Sequence, residues 1–234
     1  MDFIRWSKLH AHVLFRRMKD SLSNVKFCKS NRNVELPYFL EITQPFTHSS
    51  TLEQKKINLT ISGERIRNYI IHPGETFSFW RCVGNPNKKE FASSRGIRDG
   101  VLQLERGGGL CQASGIIHHL SLISGLNITE RYNHSKDLYT EATRFCPLGS
   151  DATVAYGYRD LRVKNSSDAS IQFDLEVLDD HFTGYLRSSK PLKQHDISFE
   201  YKESPDGKIT AITYDKTTDT VIATSYYEKY EEIS

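Results

Sequence analysis

Three stretches of the chain place apolar residues at helical spacing. In 111–124, Ala113, Ile116, Ile117, Leu120 and Ile123 recur three or four residues apart up to Gly125, a residue favoured just past a helix end. The other side of this helix carries Cys111, Ser114, Gly115 and His118, which are mostly small. That predicts a helix buried on both sides, with a strand or loop passing close to it. Over 51–70 the apolar positions Leu52, Ile57, Leu59, Ile61, Ile66 and Ile70 are only partly helical in period, Gly63 weakens the run, and Pro73-Gly74 ends it. A third helix is expected over 2–20.

The remaining pattern is extended. Residues 37–43 combine aromatic and β-branched side chains after a helix-breaking Pro37, and 75–83 read as extended. From Asn127 onward, 128–134, 152–158, 161–164 and 171–178 each alternate or concentrate β-branched and aromatic residues. Asp179-Asp180-His181, Pro205-Asp206-Gly207 and Thr217-Thr218-Asp219 mark hairpin turns between further strands. The expected fold is therefore α+β: a buried central helix with a cysteine at its N-terminus packed on an antiparallel sheet, followed by a C-terminal β-meander. The expected division is a basic N-terminal helix and lead-in strand over 1–50, a core domain over 51–190, and a β-hairpin extension over 191–234.

A chain of 234 residues with 38% hydrophobic content supports one sizeable core. Its net charge of +2 gives no reason to expect nucleic acid as a partner. The charge is uneven, however. Residues 1–32 hold Arg5, Lys8, Arg16, Arg17, Lys19, Lys26, Lys29 and Arg32 against Asp2 and Asp20, a net of +6 that leaves −4 elsewhere. Interleaved Phe3, Ile4, Trp6, Val13, Leu14, Phe15 and Met18 fit two readings: a helix docked on the domain with a solvated basic face, or an interfacial helix on an anionic leaflet. No stretch has the apolar length of a spanning helix or a signal peptide, so the expected location is cytoplasmic, with peripheral membrane contact through 1–32. Cys28, Cys82, Cys111 and Cys146, irregularly spaced, read as free thiols.

Gly107, Gly108 and Gly109 ahead of Leu110-Cys111-Gln112 concentrate backbone entropy cost at one point, which implies positive φ or close approach there. Cys111 then sits at the positive end of a helix dipole, which favours its thiolate and makes it a candidate nucleophile. The first-turn amides could hold an oxyanion. A thiolate needs an imidazole partner and a group to orient that imidazole. His134, expected at the end of one strand, and Asp151, expected at the start of the next, supply both. Cysteine on a helix, then histidine and aspartate on successive strands, is the chain order of papain-type and transglutaminase-type thiol enzymes, by topological analogy. Each residue also has a plainer reading: Cys111 as a small packing residue, His134 as a strand-end polar residue, Asp151 as a turn or cap. A rival metal chemistry would join Cys111 and His118 to His119 or His134 around zinc, but no close ligand pair such as CxxC or HxxxH occurs. No metal or other cofactor is expected.

His72-Pro-Gly-Glu-Thr-Phe-Ser-Phe-Trp80, Gly107-Gly-Gly-Leu-Cys-Gln-Ala-Ser114, His134 and Asp151-Ala-Thr153 together resemble the VanW family over about residues 51 to 178. The resemblance marks Gly107, Gly108, Gly109, Cys111, Gln112, Ser114, His134, Asp151 and Thr153 as motif positions, with Pro73, Gly74, Glu75 and Phe77 from the earlier segment. It implies association with glycopeptide (vancomycin) resistance and cell-wall metabolism. Pro73-Gly74 is expected to set a turn, and Phe77, Phe79 and Trp80 to fill core. The expected function is a thiol amide hydrolase or acyl transferase acting on peptidoglycan-type peptides, with Cys111, His134 and Asp151 catalytic and Gly107, Gly108, Gly109, Gln112 and Ser114 binding substrate. The alternatives are a non-catalytic module that captures a precursor peptide's carboxylate, or a partner of a cell-wall enzyme.

Overall fold

The computed structural model describes residues 3–30, 34–98, 101–137 and 146–229, so Asp2 and Arg32 of the charged N-terminal run lie outside the described residues. The chain is α+β, with few helices and several small sheets. In order it forms α1 (Phe3–Leu22), β1 (Lys29–Ser30), β2 (Tyr38–Pro45), α2 (Leu52–Ile66), β3 (Tyr69–Ile70), β4 (Thr76–Ser78), α3 (Phe79–Val83), β5 (Ser93–Arg98), β6 (Val101–Arg106) and α4 (Leu110–Ile123). There follow β7 (Asn127–Glu130), β8 (Lys136–Asp137), β9 (Arg162–Lys164), β10 (Ile171–Val177), β11 (His181–Ser188), β12 (Ile197–Glu203), β13 (Lys208–Asp215) and β14 (Thr220–Lys229).

Strand period 2 decides the core face of β10, where Ile171, Phe173 and Leu175 point inward and alternate with Gln172 and Asp174. β10, β11 and β2 form one antiparallel sheet, in register from Phe173↔Leu186 to Leu186↔Leu40. Against it pack Leu59 and Ile66 of α2 and Ala113, Ile116, Ile117 and Leu120 of α4, all fully buried. Gly63 explains itself here. A Cβ at that position would stand 2.7 Å from the Leu175 carbonyl, so the helix tolerates glycine in its interior because α2 lies directly on β10. Phe77 and Phe79 are fully buried, with Phe77 edge-on to Phe173, and Trp80 is partly buried beside them. β12, β13 and β14 form the antiparallel meander, with turns at 205–207 and 217–219, the third marked turn joins β10 to β11, and β8 adds to β14 in parallel.

The structure corrects four sequence expectations. The extended reading of 75–83 holds only for β4, because the Ser78 hydroxyl accepts the Arg81 N–H and caps α3. The strand expected over 128–134 stops at Glu130, and none forms over 152–158. In these two segments backbone and side-chain groups bond one another instead of a ladder: the Thr153 N–H donates to the Tyr132 carbonyl at 2.7 Å, and the Arg131 Nε donates to the Asp151 carbonyl at 2.8 Å. The helix expected to reach residue 70 ends at Ile66, since Tyr69 and Ile70 pair with β1.

α1 lies against the body of the protein through one narrow side. Leu9 is buried over Gly157, Arg16 pairs with Glu130 at 2.7 Å, and Asp20 takes Arg162 at 2.6 Å and Arg81 at 3.2 Å.

Candidate functional site

The glycine turn and the first turn of α4 form one wall of a cleft of about 1200 Å³ that is also lined by His134, Asp151, Thr153, Lys55 and Gln44. Gly109 has φ 96° at the start of α4 and Gly107 has φ 79°. Side chains disfavour that left-handed region, so the sequence needs glycine here for the chain to turn sharply into the helix. A Cβ on Gly108 would meet the Ser94 carbonyl at 2.5 Å. The turn is pinned from α2: the buried Asn58 donates to the Gly108 carbonyl at 2.9 Å and the Ala92 carbonyl at 3.0 Å, and accepts the Ala92 N–H. The N–H groups of Gly107, Gly108, Leu110 and Gln112 are spent within the turn and its neighbours, whereas those of Gly109 and Cys111 make no backbone hydrogen bond among the described residues.

The small side of α4 receives the 150–154 segment. Ser114 Oγ donates to the Ala152 carbonyl at 2.6 Å, Gly115 passes beside the Asp151 and Ala152 backbone, and His118 Nδ1 lies 2.7 Å from the Ser150 carbonyl. This contact delivers Asp151 and Thr153 to the N-terminus of the helix. Cys111 Sγ lies 3.6 Å from Thr153 Oγ1 and 3.7 Å from the Val154 carbonyl.

Asp151 gathers the polar groups of the site. One carboxylate oxygen accepts the His134 N–H at 2.8 Å and lies 2.7 Å from His134 Nδ1; the other accepts Arg131 Nη2 at 2.9 Å and the Tyr227 hydroxyl at 2.5 Å. Burial alone would raise this carboxylate, but the His134 hydrogen bond and the Arg131 charge hold it well below its ordinary value. Burial alone would likewise lower His134. Its hydrogen bond to Asp151 and its interaction with Cys111 prevail and raise it to about 10. For Cys111, burial pushes the thiol up, yet hydrogen bonding to His134 and the imidazolium charge bring it below its ordinary value. With Nδ1 committed to Asp151, Nε2 remains for the sulfur. Both shifts run in the direction that favours a thiolate–imidazolium pair, with the carboxylate orienting the imidazole.

The structure thus brings Cys111, His134 and Asp151 into one cluster, although His134 and Asp151 sit in irregular segments and not on strands. Gly107, Gly109 and Gln112 line the cleft; Gln112 Nε2 also donates to Gln44 at 3.3 Å. Gly108 and Ser114 are buried behind it, where Ser114 ties α4 to the 150–154 segment. Glu75 is buried and accepts the His72 N–H across the Pro73-Gly74 turn. Among the described residues no three histidine, cysteine or acidic side chains converge as metal ligands; His118 is held by Ser150 and His119 packs edge-on to Phe199.

Four residues of the site escape sequence reasoning. Arg131 lies three residues before His134, a cation inside a β-like run, and that oddity was a usable signal. Tyr227 comes from β14, far along the chain, and nothing local marks it. Asn58 occupies a helix interior where its amide has no evident task. Lys55 lines the cleft with its stem against Gly109, its ammonium 5.8 Å from the centre of the Phe46 ring, and forms no ion pair among the described residues. Burial lowers it to about 8.

The scaffold is α+β and places Cys111, in the first turn of α4, beside His134 and Asp151. The model of the family described as VanW like protein matches residues 54–187, more than half of the chain, and the chain belongs to the VanW family. It is 32% identical over 139 residues to the vancomycin B-type resistance protein VanW of Enterococcus faecalis, covering 59% of this chain and 50% of that protein. It is 34% identical over 124 residues to the uncharacterized protein YoaR of Bacillus subtilis, covering 53% of this chain and 39% of that one. The chain therefore spans half or less of these relatives. No solved structure matches it.

Proposed function

We propose that this protein is a cysteine-dependent amide hydrolase or acyl transferase acting on peptidoglycan-type peptides. The observation that carries this reading is the succession from Asp151 through His134 to Cys111, with the thiol lowered and the imidazole raised. The Cys111 thiolate attacks a peptide carbonyl, and the carbonyl oxygen takes the negative charge near the N–H groups of Gly109 and Cys111, which make no backbone hydrogen bond among the described residues. As the C–N bond breaks, the His134 imidazolium gives its proton to the departing amine, leaving a thioester on Cys111. Neutral His134 then takes a proton from water or from an acceptor amine, which attacks the thioester and regenerates the thiolate with the imidazolium. Asp151 keeps His134 in the required tautomer throughout. The papain and transglutaminase chain order supports the scheme by analogy, and the vancomycin-resistance name of the Enterococcus relative supports the substrate class.

Intact-mass analysis after incubation with D-alanyl-terminated peptides and their thioesters tests this. An acyl adduct on Cys111, absent from Cys111→Ser, is expected. No adduct and no product from any such peptide would overturn the catalytic reading.

A second reading is favoured by Lys55. An unpaired cation beside the glycine turn suits capture of a peptide carboxylate without chemistry. Binding of a D-alanyl-terminated peptide that Lys55→Met weakens and Cys111→Ser leaves intact, without turnover, would establish that reading instead.

A further inference from the structure

On a helical projection at 100° per residue, α1 is amphipathic in an inverted sense. The side that meets the body of the protein holds Leu9 between Arg16 and Asp20, with both charges consumed by Glu130, Arg81 and Arg162. The opposite side, an arc of about 100°, carries Ile4, Leu14, Phe15, Met18 and Leu22, exposed by 66%, 60%, 67%, 56% and 86%. Lys8 and Lys19 border this stripe on one side and Arg17 on the other. All three are exposed and form no ion pair among the described residues.

We propose that this outer face of α1 seats the protein on the surface of an anionic lipid bilayer. The charge pattern selects this occupant. The only acid of α1, Asp20, is on the inner side and neutralised, so the outer face offers apolar area framed by cations alone. Two copies meeting through this face would bring Lys8, Arg17 and Lys19 against their own equivalents without a counter-charge. No helix among the described residues is long and apolar enough to cross a membrane, so α1 lies along the interface and does not span it. Lys8 and Leu9 also line the cleft that holds Cys111, so seating α1 brings that wall of the cleft to headgroup level. The proposal rests on α1 and stands independently of the chemistry at Cys111.

Co-sedimentation of the full chain with phosphatidylcholine vesicles, with and without phosphatidylserine, tests it. Each cation near an anionic leaflet multiplies binding by about five, so Lys8→Gln, Arg17→Gln and Lys19→Gln together lower binding to the anionic vesicles by on the order of 100-fold. Leu14→Ser, Phe15→Ser and Met18→Ser together should abolish it. These side chains are largely exposed, so the melting temperature and the alkylation rate of Cys111 in the absence of lipid should stay at wild-type values, which separates this result from any failure of the catalytic reading. Equal binding to both vesicle types, or anionic binding that survives the triple serine change, overturns the proposal. A concentration-dependent dimer dissociated by the serine changes, with no vesicle binding, assigns the face to a second copy and overturns it equally.

Discussion

Replacing His134 with alanine leaves the Cys111 thiol in a site where burial alone pushes its pKa up, because the imidazolium that opposes that effect is gone. An unperturbed cysteine titrating near 8.5 is only about 3% thiolate at pH 7, and each further unit removes another factor of about ten. Returning Cys111 to that range or above should lower its rate of iodoacetamide alkylation at pH 7, by up to about tenfold for each unit its pKa rises. The acid limb of the pH–rate profile should move to higher pH. Asp151→Asn should give an intermediate result, since it removes the carboxylate that holds His134 at about 10 but leaves the imidazole in place. The assay is alkylation followed by peptide mass mapping, which reads the four cysteines separately. Cys82 is a useful internal contrast, because burial and the neighbouring Cys28 push its thiol well above the ordinary value. An alkylation rate unchanged by both substitutions, or Cys111 reacting no faster than Cys82 in the folded protein, would refute the thiolate–imidazolium assignment.

Three further outcomes are expected. Stability from His134 is complete below its ordinary 6.5 and is lost as pH rises through about 10, while that from Asp151 is present above its ordinary 3.8 and is lost as pH falls below it. The lowered Cys111 thiol contributes stability that grows as pH rises toward its ordinary 9.0 and opposes the His134 loss until then, so melting temperatures should decline below about 3.8 and again between about 9 and 10. Asp151→Asn should flatten both limbs; an unaltered profile in that variant would contradict this. Tyr227→Phe removes the hydroxyl that donates to Asp151 and accepts the Gly149 N–H, and should cost about 1–3 kcal/mol in urea unfolding, with a smaller loss of Cys111 reactivity than His134→Ala. Asn58→Ala leaves the Gly108 and Ala92 carbonyls without their side-chain donor and should cost about 2–6 kcal/mol by the same measurement, at about 1–3 for each unsatisfied group; retention of wild-type stability would show that water replaces the amide.

Much of the scaffold was legible because it depends on local periods. The 3.6-residue spacing of Ile116, Ile117 and Leu120 marks the buried side of α4, and the alternation of Ile171, Phe173 and Leu175 marks the inner face of β10. Gly107 to Gly109 announced a turn because positive φ has few other solutions, and the order of Cys111, His134 and Asp151 suggested a cluster. Two of the failures share one cause. Segments 131–134 and 152–158 carry β-forming residues, but the backbone and side-chain bonds that join Arg131, Tyr132, Asp151 and Thr153 replace a ladder there. Propensity describes what a segment prefers alone and cannot register a competing partner some 20 residues away.

By itself the sequence determined that α1, α2, α4 and most of the strands form, where the chain turns, and that Cys111 lies in the first turn of a helix after a glycine turn. Only the tertiary structure decided that Tyr227 and Arg131 share the Asp151 carboxylate, that Asn58 holds the glycine turn from α2, that Lys55 lines the cleft, and that the apolar side of α1 faces outward. The physical reason is that periodicity and dihedral preference act over a few residues. The partner of a buried charge, or the choice of which face of an amphipathic helix is covered, is set by groups that meet only when distant segments pack.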